Sequence, residues 1–286
     1  MERLEPGLRL LRAPNPSPMT AEGTNTWLVG DGDVVVIDPG PAIPAHLAAI
    51  LGALQPGERI SHILVTHSHL DHSPLARPLA AATGAPVLAA GPSDWGLSRV
   101  MAALNAAGGL GGGEGVDAEF APDERIGDGD SVADLRVIAT PGHMANHLSF
   151  AWNGAVFSGD LVMGWSTSLV SPPDGDMTAF MASVAMLGAR NDRVFYPGHG
   201  APVTEPAARC AALLAHRRAR EGQIIAALSH RPATAAALAA QIYTATAPAL
   251  QPAAARNVLA HLIDLNTRRI AAPIGPLTAT ARFTLT

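Results

Sequence analysis

Lysine is missing from this chain: all nineteen basic residues are arginine, against twenty-four acids, for a net charge of −5 over 286 residues. Without lysine, no Gly-Lys-Ser/Thr phosphate-binding loop can form, and the glycine-rich stretch 108–115 reads as a surface loop. The mild negative balance speaks against a protein that coats nucleic acid or lies on anionic lipid. A single cysteine, Cys210, excludes an internal disulfide and reads as a buried thiol on a helix. Aromatic residues make up only 4%, so platforms for stacking bases are scarce. No apolar run approaches the roughly 20 residues that a bilayer-crossing helix needs. The opening Met1-Glu2-Arg3-Leu4-Glu5-Pro6 lacks the apolar core of a secretion signal, so a cytoplasmic location is expected. There is also no Gly-x-Ser-x-Gly elbow, which leaves acyl-serine chemistry without support.

What is present is a large apolar fraction, 48%, with only 15% charged residues, enough for a sizeable core. The length predicts one large domain and a smaller one. Short β-branched runs, such as Val34-Val35-Val36-Ile37, His62-Ile63-Leu64-Val65 and Leu148-Ser149-Phe150-Ala151-Trp152, predict strands. Helical patterns at 45–54, 74–82 and 177–187 lie between them, which predicts a layered α/β architecture with sheet inside and helices outside. Met177, Met181 and Met186 read as gap-filling core residues. Near Pro206 the texture changes. Helical stretches at 207–229, 234–243 and 252–267 precede two extended pieces within 270–286. Three helices followed by a hairpin outline a winged helix, so the expected domains are 1–205 and 206–286. The run Arg217, Arg218 and Arg220 reads as a solvated helix face, with phosphate contact as the alternative.

The chemistry is concentrated in Thr66-His67-Ser68-His69-Leu70-Asp71-His72, directly after the strand Ile63-Leu64-Val65. In extended backbone His67 and His69 point to the same side, while Asp71 and His72 precede a helix start at Ser73-Pro74. One turn thus offers ligands from two directions, of types that suit zinc and also iron or manganese. Further candidates follow strands and glycine turns: His143 in Thr140-Pro141-Gly142-His143, Asp160 in Ser158-Gly159-Asp160, and His199 in Tyr196-Pro197-Gly198-His199. Asp38, in Ile37-Asp38-Pro39-Gly40, is a candidate to orient a ligating imidazole, and His147 a candidate for a similar role or for plain packing.

The His-x-His-x-Asp-His motif and its three later partners resemble the metallo-β-lactamase superfamily over roughly residues 20 to 205. The segments Gly23-Thr24-Asn25-Thr26-Trp27 and Ser171-Pro172-Pro173-Asp174-Gly175-Asp176, with the tail around Arg217 and Arg256-Asn257, are similar to its lactamase-β-like subgroup, which carries a C-terminal winged helix. The resemblance implies an αββα sandwich with that small domain appended. It implies one divalent metal ion on His67, His69 and His143, a second on Asp71, His72 and His199, and Asp160 bridging them.

A dinuclear hydrolase is therefore expected, in which a metal-bridging hydroxide attacks an ester-like substrate and Asp71 accepts its proton. The substrate expected first is a thioester, lactone or related metabolite. The alternative is endoribonuclease cleavage of single-stranded RNA, as in some relatives of the subgroup; a winged-helix nucleic-acid-binding regulator ranks third. No membrane partner is expected, and a homodimer through the tail is an expectation from the resemblance.

Overall fold

The computed structural model describes residues 1–113 and 115–286; Glu114, within the glycine-rich stretch, lies outside the described residues. One sheet contains β1 (Glu2–Glu5), β2 (Leu8–Arg12), β3 (Asn25–Val29), β4 (Asp33–Ile37), β5 (Arg59–Leu64), β6 (Val87–Ala89) and β7 (Glu124–Arg125), side by side in chain order. Strands β1 to β4 pair antiparallel and β4 to β7 parallel. Parallel neighbours need crossovers, supplied by α1 (Pro44–Gly52), α2 (Ala76–Thr83) and α3 (Arg99–Ala107).

The second sheet contains β8 (Ser131–Val132), β9 (Leu135–Ala139), β10 (Leu148–Trp152), β11 (Ala155–Gly159) and β12 (Val194–Pro197). It is antiparallel except for β11 and β12, which α4 (Met177–Gly188) joins in parallel. Asp176 caps α4 by accepting from the backbone N–H groups of Thr178 and Ala179 at 2.8 and 3.2 Å.

Alternation along the strands explains the layering. On β4, Val35 and Ile37 face the second sheet, whereas Val34 and Val36 face α1 and α2 through Ile50 and Leu79. On β11 and β12, Phe157 and Tyr196 face inward, whereas Val156 and Phe195 face α4 through Phe180 and Val184. Both faces of both sheets are apolar because both are covered. The expected αββα sandwich is present. Trp27 of β3 centres the inner layer, 5.0 Å from the ring of Tyr196 and 5.7 Å from that of Phe157, and is 1% exposed.

The remainder is α5 (Pro206–Leu228), β13 (Ala233–Thr234), α6 (Ala235–Ile242), α7 (Gln251–Thr267), β14 (Ala271–Ile274) and β15 (Arg282–Leu285). The helices and hairpin expected from the sequence are joined by β13, which extends the β14–β15 hairpin to a three-stranded sheet. Ile224, Leu228, Leu238, Val258, Leu262 and Phe283 form its core, into which Met101 of α3 also packs. Helix α5 serves two cores: Cys210 and Leu213 lie in the outer layer on α4, Ile224 and Leu228 in the C-terminal core. Among the described residues no helix is long and apolar enough to cross a membrane.

Truncating Trp27 to alanine empties the centre of the inter-sheet layer. Trp27→Ala is expected to lower the free energy of unfolding in urea by about 3–5 kcal/mol; a loss below about 1 kcal/mol would show that the two sheets do not depend on this cluster.

Candidate metal centre

Five strand ends build the site. Parallel pairing places the C-terminal ends of β4 and β5 together, and likewise those of β11 and β12. Asp38 follows β4, the segment Thr66 to His72 follows β5, His143 follows β9, Asp160 follows β11, and His199 follows β12. The two edges are tied together by Asn25. Its backbone N–H donates to Gly198 O at 2.7 Å, and its side-chain amide donates to Pro197 O at 3.0 Å and Gly200 O at 2.9 Å. The approach is close enough to require glycine at 198, where a Cβ would stand 2.3 Å from Asp160 Oδ1.

All seven side chains singled out in the sequence come together here, in overlapping groups whose ligand atoms lie within 4.8 Å of one another: His67, His69, His143; His67, His72, Asp160; and Asp71, His72, His199. In the first group His69 Nδ1 is 2.9 Å from His67 Nε2 and 3.0 Å from His143 Nε2. In the last group Asp71 Oδ2 is 3.3 Å from His72 Nε2 and 3.1 Å from His199 Nε2. Asp160 stands between them, with Oδ2 3.2 Å from His199 Nε2 and 3.8 Å from His143 Nε2, and Oδ1 3.6 Å from His72 Nε2.

The hydrogen bonds behind the rings decide which nitrogen faces the centre. Asp38, 1% exposed, accepts from the Thr66 N–H at 2.7 Å, the Thr66 hydroxyl at 2.8 Å and His72 Nδ1 at 2.9 Å. Because the Thr66 hydroxyl donates to Asp38, it accepts from His67 Nδ1 at 2.9 Å. His143 Nδ1 donates to Leu169 O at 2.6 Å, and His199 Nδ1 to Gly23 O at 3.3 Å. Each of these imidazoles therefore turns Nε2 inward, as metal-ligating histidines do; in His67 and His143, held neutral, that nitrogen is unprotonated. His147 belongs to the same scaffold: its Nε2 accepts from the Asp160 backbone N–H at 3.2 Å and its Nδ1 lies 2.9 Å from the Thr140 hydroxyl.

Electrostatics separates the two halves. Burial holds His67 well below the ordinary imidazole range, with further depression from His72, His69 and His143. Burial, then His143, pushes His69 down to about 3. His143 is lowered chiefly by burial as well. In the other half burial also pulls downward, but carboxylates prevail: Asp71, Asp160 and Asp38 hold His72 well above its usual value, and Asp160 with Asp71 pushes His199 up to about 9. Burial raises Asp71 and Asp160, yet the adjacent His72 and His199 outweigh it and keep both carboxyls well below theirs. A trio of neutral imidazoles beside two carboxylates and two proton-seeking imidazoles is a donor set that fits divalent cations.

A cavity of about 190 Å3 opens over this centre, lined also by Met19, Thr20, Leu169, Ser171 and Asp174. Trp165, 43% exposed, stands beside Gly200 at the edge of the same loop cluster. The arginine run is not a uniformly solvated face. Arg217 is 1% exposed and committed to Asn257 and the Ser168 carbonyl, while Arg218 is exposed. Asn25, Ser168 and Leu169 carry no role legible from the sequence. Their side-chain and backbone contacts join distant segments, for which spacing carries no signal; Thr66, heading the motif, was the one such residue within reach.

A sequence profile of the metallo-beta-lactamase superfamily matches residues 19–199, and one of the beta-lactamase associated winged helix domain matches 234–275. The chain is 33% identical over 276 residues to a beta-lactamase-like protein 2 homolog of Drosophila melanogaster, covering 88% of this chain and 85% of that one. It is 31% identical over 228 residues to the thioesterase pkgB of Emericella nidulans, covering 75% of this chain and 57% of that one. Among solved structures, a beta-lactamase domain protein from Burkholderia ambifaria superposes with a TM-score of 0.82 at 25% identity, over 100% of this chain and 93% of its own. A protein crystallised in a di-iron-bound form superposes with a TM-score of 0.53 at 28% identity, over 69% of this chain and 96% of its own. The chain belongs to the metallo-β-lactamase superfamily. It is a hydrolase of that superfamily carrying a C-terminal winged helix.

Asp38 is a buried carboxylate with three donors and no role in contacting substrate. Asp38→Ala leaves the Thr66 N–H and His72 Nδ1 without an acceptor and is expected to cost about 3 kcal/mol of unfolding free energy, read by urea denaturation in the presence of a chelator. An unchanged midpoint would show that water replaces the carboxylate.

Proposed function

We propose that the protein hydrolyses a small ester-like substrate, a thioester first, at a centre of two divalent cations. His67, His69 and His143 would hold one cation, Asp71, His72 and His199 the other, with Asp160 shared. The observation that carries this reading is the convergence of His67 Nε2, His69 Nδ1 and His143 Nε2 at 2.9 and 3.0 Å, two close contacts that one imidazole proton cannot satisfy together and a cation would. Zinc suits the nitrogen-rich set, and iron or manganese are the alternatives. Bound there, two cations supply a water of lowered pKa and a Lewis acid for the carbonyl oxygen.

The protein's own residues complete the chemistry. Asp71 is partly exposed to the cavity and accepts a hydrogen bond from Thr24 Oγ1 at 3.3 Å, which orients its carboxylate. It is placed to take the proton of an attacking water. Asp160, anchored through its backbone by His147, stays rigid between the two groups. Met19 and Leu169 offer the acyl portion an apolar wall.

The thioester class is favoured over RNA by the cavity lining. Among the described residues no arginine lines it, so a polyanionic backbone would find no cationic side chain to follow beyond the metal centre itself. The thioesterase relative points to the same class. A purely regulatory winged helix has no use for so complete a donor set.

Hydrolysis of short-chain acyl thioesters, followed by trapping the released thiol, is expected for the wild type. Asp71→Ala is expected to lower kcat by about 10²–10⁴-fold, and elemental analysis is expected to find two metal ions per chain. Fewer than one metal ion per chain would overturn the dinuclear reading. Cleavage of single-stranded RNA without thioester hydrolysis would move the substrate to a phosphodiester.

The two cations should also differ in proton release. His69, with its pKa near 3, is a neutral imidazole at neutral pH, whereas His199, raised to about 9, carries an additional proton until a cation displaces it. Binding at the Asp71 group should therefore release protons and weaken as pH falls below about 9, while binding at the His69 group, whose imidazoles are all lowered, should release fewer. Calorimetric titration in buffers of different ionisation enthalpy reads this directly; equal proton release for both cations would contradict it.

A further inference from the structure

Residues 167–170 run beside the metal centre without regular secondary structure, and among the described residues no backbone–backbone hydrogen bond ties them to another segment. Yet Ser168 and Val170 are fully buried. The Ser168 carbonyl and the Val170 N–H are satisfied instead by side chains. Two of those side chains come from the C-terminal helices. Arg217 of α5 donates through Nη2 to the Ser168 carbonyl and through Nη1 to Asn257 Oδ1 at 3.0 Å. Asn257 of α7 uses the same oxygen to accept from the Val170 N–H at 3.0 Å.

The other connections of this segment lead into the metal centre. The Ser168 hydroxyl donates to the carbonyl of Asp160 and to that of Leu161 at 3.0 Å. The Leu169 carbonyl accepts from His143 Nδ1 at 2.6 Å, the bond that turns His143 Nε2 inward. Arg217 therefore stands two hydrogen bonds from Asp160, and Asn257 acts within one residue of the carbonyl that holds His143. Among the described residues Arg217 has no carboxylate partner in its hydrogen bonds. Its guanidinium sits between neutral acceptors and the face of Phe180, 5.0 Å from the ring centroid. A buried cation, 1% exposed and without a carboxylate beside it, gains little from charge, so what its hydrogen bonds supply is geometry. Its planar fork spans two acceptors at a fixed angle, which a flexible ammonium does not reproduce.

We propose that Arg217 and Asn257 are positioning residues by which the C-terminal helices hold the 167–170 segment, and through it His143 and Asp160, in metal-binding geometry. The proposal rests on the two-cation reading above. Its consequence is asymmetric. Loosening the segment releases the ring of His143, a ligand of one cation alone, and the backbone of Asp160, shared by both, but leaves Asp71, His72 and His199, whose anchors are Thr24, Asp38 and Gly23.

The test is metal competition against a chromogenic chelator on the full-length protein, with Asn257→Leu, Arg217→Lys and Arg217→Met. Leu238→Ala, in the C-terminal core away from the segment, serves as a destabilised control. Wild type should bind two zinc ions; fewer would overturn the underlying metal reading and not this one. In the Asn257 and Arg217 variants one zinc should bind about 10–100-fold more weakly and the other, which shares only Asp160 with it, distinctly less so, with both unchanged in Leu238→Ala. Arg217→Lys and Asn257→Leu disturb the fold least, so they decide the matter if Arg217→Met does not fold. Two zinc ions held as tightly as in wild type by either folded variant would overturn the proposal. So would equal weakening of both ions, or the same loss in Leu238→Ala.

Discussion

Three imidazole nitrogens facing one another at 2.9–3.0 Å, with two carboxylates beside them, form an arrangement that is unfavourable by itself. One proton on His69 can satisfy only one of these contacts, and the buried carboxylates lean on His72 and His199 for compensation. The surroundings are organised around holding this cluster open to a cation. Asp38 restrains His72 directly and His67 through the Thr66 hydroxyl, so one carboxylate sets two tautomers. Backbone carbonyls of Leu169 and Gly23 do the same for His143 and His199. His147, neutral because burial depresses it well below the usual imidazole range, receives the backbone N–H of Asp160 and keeps that carboxylate in place.

Such precision needs a rigid support, and the sandwich provides it. The ligands sit on loops, where backbone can bend toward a common point, but each loop leaves a strand whose two faces are packed. Parallel pairing of β4 with β5 and of β11 with β12 brings the ends of those strands to one edge. The bridge through Asn25 then fastens one sheet's edge to the other's. Where the segments come closest, at Gly198, a methyl group would collide with a carboxylate.

The C-terminal helices are not a separate appendage. Helix α5 lies in the outer layer at its start and in the C-terminal core at its end, and between these stretches Arg217 reaches toward the loop below the metal centre. Helix α3, from between two strands of the first sheet, returns the contact by placing Met101 in the C-terminal core. Nucleic-acid contact was one reading of the arginine run; instead its first member is buried and spent on internal acceptors.

The sequence by itself determined the layered α/β class, most of the strands and helices, and the seven side chains that meet at the centre. It could do so because strands buried on both faces leave unbroken apolar runs and because His67, His69, Asp71 and His72 fall within one turn. It did not reveal β13, α3 or the two short strands at the start, whose patterns are too brief or too polar to stand out. Only the tertiary structure decided which nitrogen of each histidine faces inward, that Asp38 serves two of them, and that Arg217 is a buried clamp rather than a solvated charge. These depend on contacts such as Arg217 to Ser168 and Asn25 to Gly200, between segments far apart in the chain. Local spacing determines which face of an element a residue occupies; what meets that face is settled when the layers close over it.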